Sequence, residues 1–193
     1  LQRLGMDFID LYYLHTPDET VPIADTLGAL QELVDRGLVR EIGCSNFSVA
    51  QLQEAHDTVS GDQARFECVQ NHYSLLHRAP EQDGVLDWCA ENGTALIPFF
   101  PLHNGLLTGK YRLGEERPDG TRLSGTPRGD QLLTEANLRL VEDLISWCAA
   151  RDRTLIELAF GWLLARPQVS SVIAGATSPA QVASNAAAAG WLP

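Results

Sequence analysis

The chain alternates between two hydrophobic patterns, and the alternation repeats five times. Short runs of β-branched and aromatic residues predict strands, and apolar residues spaced three and four apart predict the helices between them. The predicted strands cover residues 8–15, 39–45, 66–70, 95–99 and 171–174. Such alternation with short connections predicts a parallel sheet with right-handed crossovers. Periodicity leaves open whether the sheet is doubly wound or part of a (β/α)8 barrel. A complete barrel takes roughly 250 residues.

Local signals place the helix ends. Ser48 with Gln51, and Thr154 with Glu157, have the spacing of capping boxes, and Pro179 follows the candidate N-cap Ser178. The predicted helices cover residues 22–36, 81–91, 135–151 and 155–165, with two more beginning at residues 48 and 178. Residues 112–131 are rich in Gly, Pro, Arg and Asp and predict a surface loop that would be a plausible lid.

Polar side chains end three of the predicted strands. The segment LYYLH ends at His15, IGCSN ends at Asn46, and CVQN ends at Asn71. Because the C-terminal ends of parallel strands form the ligand face, we expect these residues to converge. An imidazole, a hydroxyl and carboxamides predict a site for a polar organic ligand rather than a metal. Neither GxGxxG nor GxxxxGK[ST] occurs, so a Rossmann or P-loop nucleotide site is unsupported.

Composition narrows the class of protein. The 193 residues, 45% of them hydrophobic, suffice for one domain over residues 1–193. A formal net charge of -11 argues against nucleic acid or anionic membrane as a partner. No apolar run is long enough to span a membrane, and no charged-then-apolar leader is present. The four cysteines form no CxxC pair, which predicts buried, reduced thiols and a cytoplasmic location.

Five motifs in order carry a family resemblance. DFIDLYYLHTPD, GLVREIGCSNFS, CVQNHYSLL, FPLHNGLLTGKY and SVIAGATSPAQVASNAAA resemble the second half of the aldo-keto reductase family, over about residues 1–190. The family is a (β/α)8 barrel that transfers hydride between NAD(P)H and a carbonyl or alcohol. The resemblance therefore implies an α/β fold, an incomplete (β/α)8 barrel whose five βα units hold barrel strands four to eight.

The resemblance assigns roles to the strand-end residues. His15 matches the active-site histidine, whose N–H can polarise a carbonyl oxygen. Ser45 and Asn46 match the pair that holds the nicotinamide carboxamide, and Gln70 matches a third contact. The structural alternatives are a satisfied buried histidine for His15, a helix-entry hydroxyl for Ser45 and an Asx turn for Asn46.

Other matches lie later in the chain. Phe99 falls where an aromatic ring stacks on nicotinamide, with barrel core as its alternative, and Phe100 replaces a common small polar residue. Leu102 and the turn at Gly105 and Leu106 match the segment beside the pyrophosphate. The residues matching the adenosine phosphate and adenine contacts are Gly175, Thr177, Ser178, Gln181 and Asn185. The resemblance implies NADPH as the cofactor, and NADH is a second candidate because this last segment carries no Lys or Arg to pair with a 2′-phosphate. Helix capping is the alternative role for Ser178 and Gln181.

Three catalytic groups of the family, an Asp, a Tyr and a Lys, match nothing in this chain. The sequence starts at Leu1, which leads us to expect a fragment of a longer reductase that is inactive alone. Its partners would be a small carbonyl substrate and, through open sheet edges, other copies of itself. A cofactor-binding regulatory protein resembling potassium-channel β subunits is the main alternative. A barrel aldolase or isomerase is disfavoured, because no strand carries a lysine or ends on a carboxylate.

Overall fold

The computed structural model describes all 193 residues. Its strands and helices are, in chain order, β1 (Ile9–Leu14), α1 (Ile23–Asp35), β2 (Val39–Ser45), α2 (Val49–Thr58), β3 (Phe66–Gln70), α3 (Ala79–Gln82), α4 (Val85–Asn92), β4 (Ala95–Leu96), α5 (Pro127–Leu132), α6 (Glu135–Ala149), α7 (Leu155–Leu164) and α8 (Pro179–Ala188). Two 3₁₀ segments cover Gln2–Leu4 and His103–Thr108. The first compact unit comprises Leu1–His72 and Ala79–Ile97, and the second comprises Tyr73–Arg78 and Pro98–Pro193. That residues 1–193 form a single domain remains a prediction.

The first unit is built on a parallel sheet in the order β1-β2-β3-β4. Most positions of the middle strands are buried, and Ile42, Cys44 and Val69 are fully enclosed. The exposed positions are the charged residues Arg40 and Glu41 of β2 and Glu67 of β3. Helix α1 contributes Leu27 and Leu30 to the core, and α2 contributes Leu52 and Ala55. The parallel register places the C-terminal ends of β1, β2 and β3 at the same edge of the sheet.

Two predicted elements of the first unit differ in extent. The strand predicted over residues 95–99 ends at Leu96, because Pro98 has no N–H to continue a ladder. The helix predicted over residues 81–91 is divided into α3 and α4, because Gly84 takes a left-handed conformation with φ of 85° between them. The predicted N-termini of α1 and α2 agree with the structure to within one residue.

The second unit has its own hydrophobic core. It contains Leu106, Leu107, Tyr111, Leu123, Leu133, Val141, Cys148, Leu155, Leu158 and Ala159. Leu123 comes from the region predicted as a surface loop, and its backbone N–H donates to the Tyr111 hydroxyl at 3.1 Å. The same region contains α5, which Thr126 caps. Residues 112–131 are therefore not a simple surface loop, because Leu123 is buried in the core and α5 begins within this region.

The predicted strand over residues 171–174 is absent, so the sheet has four strands rather than five. Within the second unit, the Ile173 N–H donates to the Pro98 carbonyl at 3.0 Å. One hydrogen bond does not make a ladder, and proline supplies no N–H in return. The capping boxes predicted at Ser48 and Thr154 are both confirmed.

Gly43 in β2 marks a close approach between strands. A Cβ at this position would lie 2.6 Å from Tyr13 Cε1 and 2.8 Å from Cys68 Sγ. We expect Gly43→Ala to lower the free energy of unfolding by about 1–3 kcal/mol through overpacking, as measured by urea denaturation. Gly28→Ala is the matched control. It lies in α1 with open space around its Cβ and should raise that free energy by roughly 0.5–1 kcal/mol. Wild-type stability in Gly43→Ala would contradict the packing described.

Glu142 of α6 accepts hydrogen bonds from Arg112 and Leu113, the residues that follow Tyr111. The Arg112 guanidinium bonds both carboxylate oxygens at 2.7 and 2.6 Å, and this lowers the pKa of Glu142 from 4.5 to about 2. Because the folded pKa lies below the unfolded one, the stabilisation is present above pH 4.5 and is lost as the pH falls toward 2.

Glu142→Gln should therefore lower the melting temperature near neutral pH, with the difference shrinking at about pH 3. Thermal unfolding at both pH values measures this difference. Glu116→Gln, an exposed loop carboxylate with no recorded ion pair, should change little at either pH. A Glu142→Gln difference that is independent of pH would contradict the assigned role of the carboxylate.

Candidate functional site

The polar residues predicted at the strand ends are neighbours in the first unit. His15 follows β1, Ser45 is the last residue of β2, and Gln70 is the last residue of β3. Leu14 pairs with Cys44, and Ser45 pairs with Gln70. Adjacent parallel strands in this register end at the same edge of the sheet. The structure thus brings His15, Ser45, Asn46 and Gln70 together.

Asn46 links the three strand ends by hydrogen bonds. Its backbone N–H donates to the Gln70 carbonyl at 2.9 Å, and its side-chain Nδ2 donates to the His15 carbonyl at 3.0 Å. The same nitrogen lies 3.1 Å from Ser45 Oγ, which itself donates to the Gln70 carbonyl at 2.9 Å. Asn46 has φ of 64°, a left-handed conformation that asparagine tolerates better than most residues.

Several polar atoms of this edge have no partner within the chain. Asn46 Oδ1 accepts no recorded hydrogen bond, and the residue is exposed. The His15 imidazole is exposed and has no recorded hydrogen bond, so the buried-histidine alternative is wrong. Ser45 is only 5% exposed. The edge therefore offers an amide acceptor and an imidazole to a ligand.

Tyr13 lies deeper on the same face as the strand-end residues. Its hydroxyl is 2.9 Å from Cys68 Sγ. Burial raises the pKa of this hydroxyl and the thiol adds to the rise, while a hydrogen bond with the Gln70 side chain partly opposes it. A phenol with a raised pKa stays protonated, so Tyr13 is suited to packing rather than to proton transfer.

Asn71 takes no part in the strand-end hydrogen-bond network. Its Nδ2 donates to the Phe47 carbonyl at 2.9 Å, and its Oδ1 is buried without a hydrogen-bond partner. The side chain thus holds the loop after β2.

The two aromatic candidates lie in the second unit. The rings of Phe99 and Phe100 meet edge to face with centroids 5.1 Å apart. Phe100 has φ of 54°, and the guanidinium carbon of Arg122 lies 5.1 Å from its ring centroid. Arg122 is a residue that sequence reasoning missed. It lies 22 positions from Phe100 in the region predicted as a loop, and no local pattern connects the two.

The segment predicted to lie beside a pyrophosphate is a distorted 3₁₀ turn. The Leu102 carbonyl accepts the N–H groups of Gly105 and Leu107 at 2.8 and 3.1 Å, and Gly105 has φ of 97°. The Leu106 side chain is fully buried in the core, which leaves only its backbone for a ligand. His103 is also buried, with Nδ1 3.3 Å from Ser74 Oγ, and burial lowers its pKa. Motif reading did not single out this buried pair.

The adenosine-side candidates surround the start of α8. Ser178 Oγ accepts the Gln181 N–H at 3.3 Å, and Gln181 Oε1 accepts the Thr177 N–H at 2.7 Å. The capping role predicted for Ser178 is therefore confirmed, and Gln181 caps through Thr177 instead of Ser178. Gly175 is exposed before this cap, and Asn185 is half-buried one turn beyond Gln181.

The remaining features concern metal ligands, cysteines and membrane-spanning helices. No group of three or more His, Cys, Asp or Glu side chains is arranged to hold a metal ion. The four cysteines are buried and unpaired as predicted, and burial raises the pKa of Cys89 to about 12. None of the helices is both long enough and apolar enough to cross a membrane.

Comparison with known sequences defines the class of protein. The sequence model of the Aldo/keto reductase family matches residues 1–191, and the chain belongs to this family. It is 33% identical to L-glyceraldehyde 3-phosphate reductase of Escherichia coli (strain K12), over 96% of this chain and 54% of the relative. It is 34% identical to the NADH-specific methylglyoxal reductase of the same strain, over 97% and 56%. A probable voltage-gated potassium channel subunit beta of Oryza sativa subsp. japonica is 32% identical, over 100% and 60%.

Solved structures agree. A glycerol dehydrogenase from Gluconobacter oxydans has a TM-score of 0.84 and 27% identity, over 100% of this chain and 57% of that one. A thermostable aldo-keto reductase in complex with the inhibitor epalrestat has a TM-score of 0.72 and 29% identity, over 97% and 57%. The chain spans about half the length of the curated relatives it matches. The resemblance and the fold class, an incomplete (β/α)8 barrel, are confirmed.

The strand-end network predicts a graded response to substitution of Asn46. Asn46→Ala loses two side-chain hydrogen bonds and places alanine at a positive φ, so we expect the free energy of unfolding to fall by about 1–3 kcal/mol. Asn46→Gly loses the same bonds but suits the backbone and should lose less. Urea denaturation of both variants separates the two effects. Wild-type stability in both would contradict the network.

Proposed function

We propose that the protein carrying this chain is an NAD(P)H-dependent oxidoreductase that reduces an aldehyde, ketone or sugar carbonyl to an alcohol. The observation that carries the proposal is the network of Ser45, Asn46 and Gln70 beside His15 at one edge of a parallel sheet. Membership of the aldo/keto reductase family, and relatives named as reductases of glyceraldehyde 3-phosphate and methylglyoxal, support it.

The strand-end groups fit the carboxamide of a nicotinamide. A carboxamide presents one acceptor and two donors. Asn46 Oδ1 is an acceptor without a partner in the chain, and Gln70 adds a second, half-buried amide. The bonds from Asn46 Nδ2 to the His15 carbonyl and the Ser45 hydroxyl fix the orientation of the Asn46 carboxamide before a ligand arrives. When bound, the cofactor would supply the hydride.

His15 would bind the substrate carbonyl. Its imidazole is exposed beside Asn46, and an N–H donated to a carbonyl oxygen stabilises negative charge that develops there. The Asp, Tyr and Lys that the family resemblance adds have no counterpart among these 193 residues. We therefore propose that this chain alone binds cofactor without turning over substrate.

The family resemblance also assigns cofactor contacts to residues of the second unit. Phe99 offers a ring face, the turn from Leu102 to Leu106 offers backbone groups, and Ser178 offers a hydroxyl at a helix N-terminus. Residues 175–185, which include Gly175, Thr177, Gln181 and Asn185, carry no cation. NADPH is the proposed cofactor, and NADH is the second candidate because a 2′-phosphate gains no ion pair from this segment.

A non-catalytic, cofactor-binding regulatory protein is the second candidate. The observation that favours it is the 32% identity, over the whole of this chain, to a probable voltage-gated potassium channel subunit beta. The strand-end network fits both candidates, since both require cofactor binding. Turnover separates them.

Cofactor binding by the 193-residue chain tests the proposal directly. We expect weak, saturable binding of NADPH and NADH in a fluorescence titration. Asn46→Gly should weaken binding roughly two- to tenfold, the effect of one hydrogen bond, while leaving the backbone conformation accessible. Gln82→Ala on α3, an exposed carboxamide outside the network, is the matched control. Equal binding by the wild type and Asn46→Gly would contradict the assigned site.

Turnover is measured as NADPH oxidation with a panel of aldehydes. The chain alone should show none, and activity there would overturn the argument from the missing Asp, Tyr and Lys. A longer protein containing this chain should show oxidation that depends on the aldehyde. Binding without oxidation in that longer protein would reject the reductase and support the regulatory alternative.

A further inference from the structure

A cavity of about 480 Å³ lies within the first unit, and none of His15, Ser45, Asn46 and Gln70 lines it. It is bounded by the end of β1, the loop that leads into α1, and the side of α2. Leu14 contributes to its wall, and successive strand residues point to opposite faces of a sheet. The neighbouring Tyr13 points to the face that carries Cys68 and Gln70, so the cavity opens on the other face.

The walls of the cavity combine apolar and acidic groups. Leu14, Val21 and Phe47 provide apolar surface, and Val21 is 43% exposed although it is a large hydrophobic residue. Phe47 packs edge to face against Phe66, with ring centroids 5.5 Å apart. The volume falls within the range of roughly 300–1,000 Å³ that is usual for small-molecule sites.

All the charge lining the cavity is negative. Asp18, Glu19 and Glu54 line it, and no Lys, Arg or His does. Asp18 Oδ1 accepts the backbone N–H of Thr20 at 2.9 Å and its hydroxyl at 2.6 Å, which lowers the pKa of Asp18 and keeps it ionised. Neither Glu19 nor Glu54 has a recorded ion pair. A cleft lined by one sign of charge concentrates ions of the opposite sign.

We propose that this cavity is a binding site for a small organic cation, an ammonium or guanidinium group carried on an apolar body. Charge complementarity selects the cation, and Leu14, Val21 and Phe47 select an apolar body over a bare ion. The carboxylates are not arranged to hold a metal, because no three ligating groups meet there. The site is separate from the proposed cofactor contacts and does not depend on the function proposed above.

The test uses 2-phenylethylamine as the probe, with 2-phenylethanol as its uncharged analogue and phenylacetate as its anionic one. Titrations of the ¹⁵N-labelled chain, followed through the amide resonances of Val21 and Glu54, report both affinity and location. We expect saturable binding of the amine, binding of the alcohol weaker by about fivefold or more, and no saturable shift with phenylacetate. Added salt should weaken amine binding.

Glu54→Gln supplies the matched variant. Loss of one carboxylate should reduce amine affinity about two- to fivefold, the range for a partly exposed ion pair. Glu32→Gln on α1 lies outside the cavity and should leave the affinity unchanged. Equal thermal unfolding of both variants and the wild type would show that the fold is intact.

Three outcomes would overturn the proposal. Equal affinity for the amine and the alcohol would make the cavity an apolar site without charge selection. Equal loss of amine affinity in Glu54→Gln and Glu32→Gln would show that the affinity depends on the net charge of the chain and not on the carboxylates of the cavity. Saturation of the same resonances by calcium ions alone would assign the carboxylates to a metal.

Discussion

The side chain of Asn46 is the constraint on which the candidate site depends. One amide nitrogen bonds the His15 carbonyl and contacts the Ser45 hydroxyl, and the backbone N–H of the same residue bonds the Gln70 carbonyl. Three strands that are distant in sequence are therefore joined at their ends by one residue. The same bonds leave Asn46 Oδ1 as the acceptor that we propose for a ligand. On that proposal one carboxamide both positions the strand ends and binds the ligand, and an isosteric aspartate could not do so because its carboxylate has no N–H to donate.

Left-handed backbone at residues other than glycine recurs along the candidate segments. Asn46 shows it in the first unit, and Phe100, His103 and Asn104 show it in the second. Such conformations cost free energy for residues with a Cβ and persist only where surrounding contacts impose them. For His103 that contact includes Ser74, and for Phe100 it includes the Arg122 guanidinium. The coincidence of these residues with segments that resemble cofactor contacts favours a preorganised role over loose loops.

Features that depend on residues close in sequence could be predicted, whereas features that depend on residues distant in sequence could not. Capping at Ser48, Thr154 and Ser178 depends on residues within three positions, and all three helix starts are confirmed. The strand predicted at residues 171–174 is wrong, because a strand requires a partner that local pattern does not contain. The strand ends converged as expected because parallel register is a rule of topology. Arg122 and the acidic cavity were missed, since each depends on residues brought together only by folding.

The two roles considered for Ser178 are chemically compatible. As N-cap it uses an oxygen lone pair to accept the Gln181 N–H, and this leaves the hydroxyl proton free. That proton can be donated to a phosphate oxygen at the same helix N-terminus, where the remaining free N–H groups also favour an anion. Gln181 differs, because its side-chain oxygen accepts the Thr177 N–H and hydroxyl, and its Nε2 is the group left to donate. A ligand phosphate would therefore meet a cap that is already formed, with Ser178 Oγ and Gln181 Nε2 as the side-chain donors available to bind it.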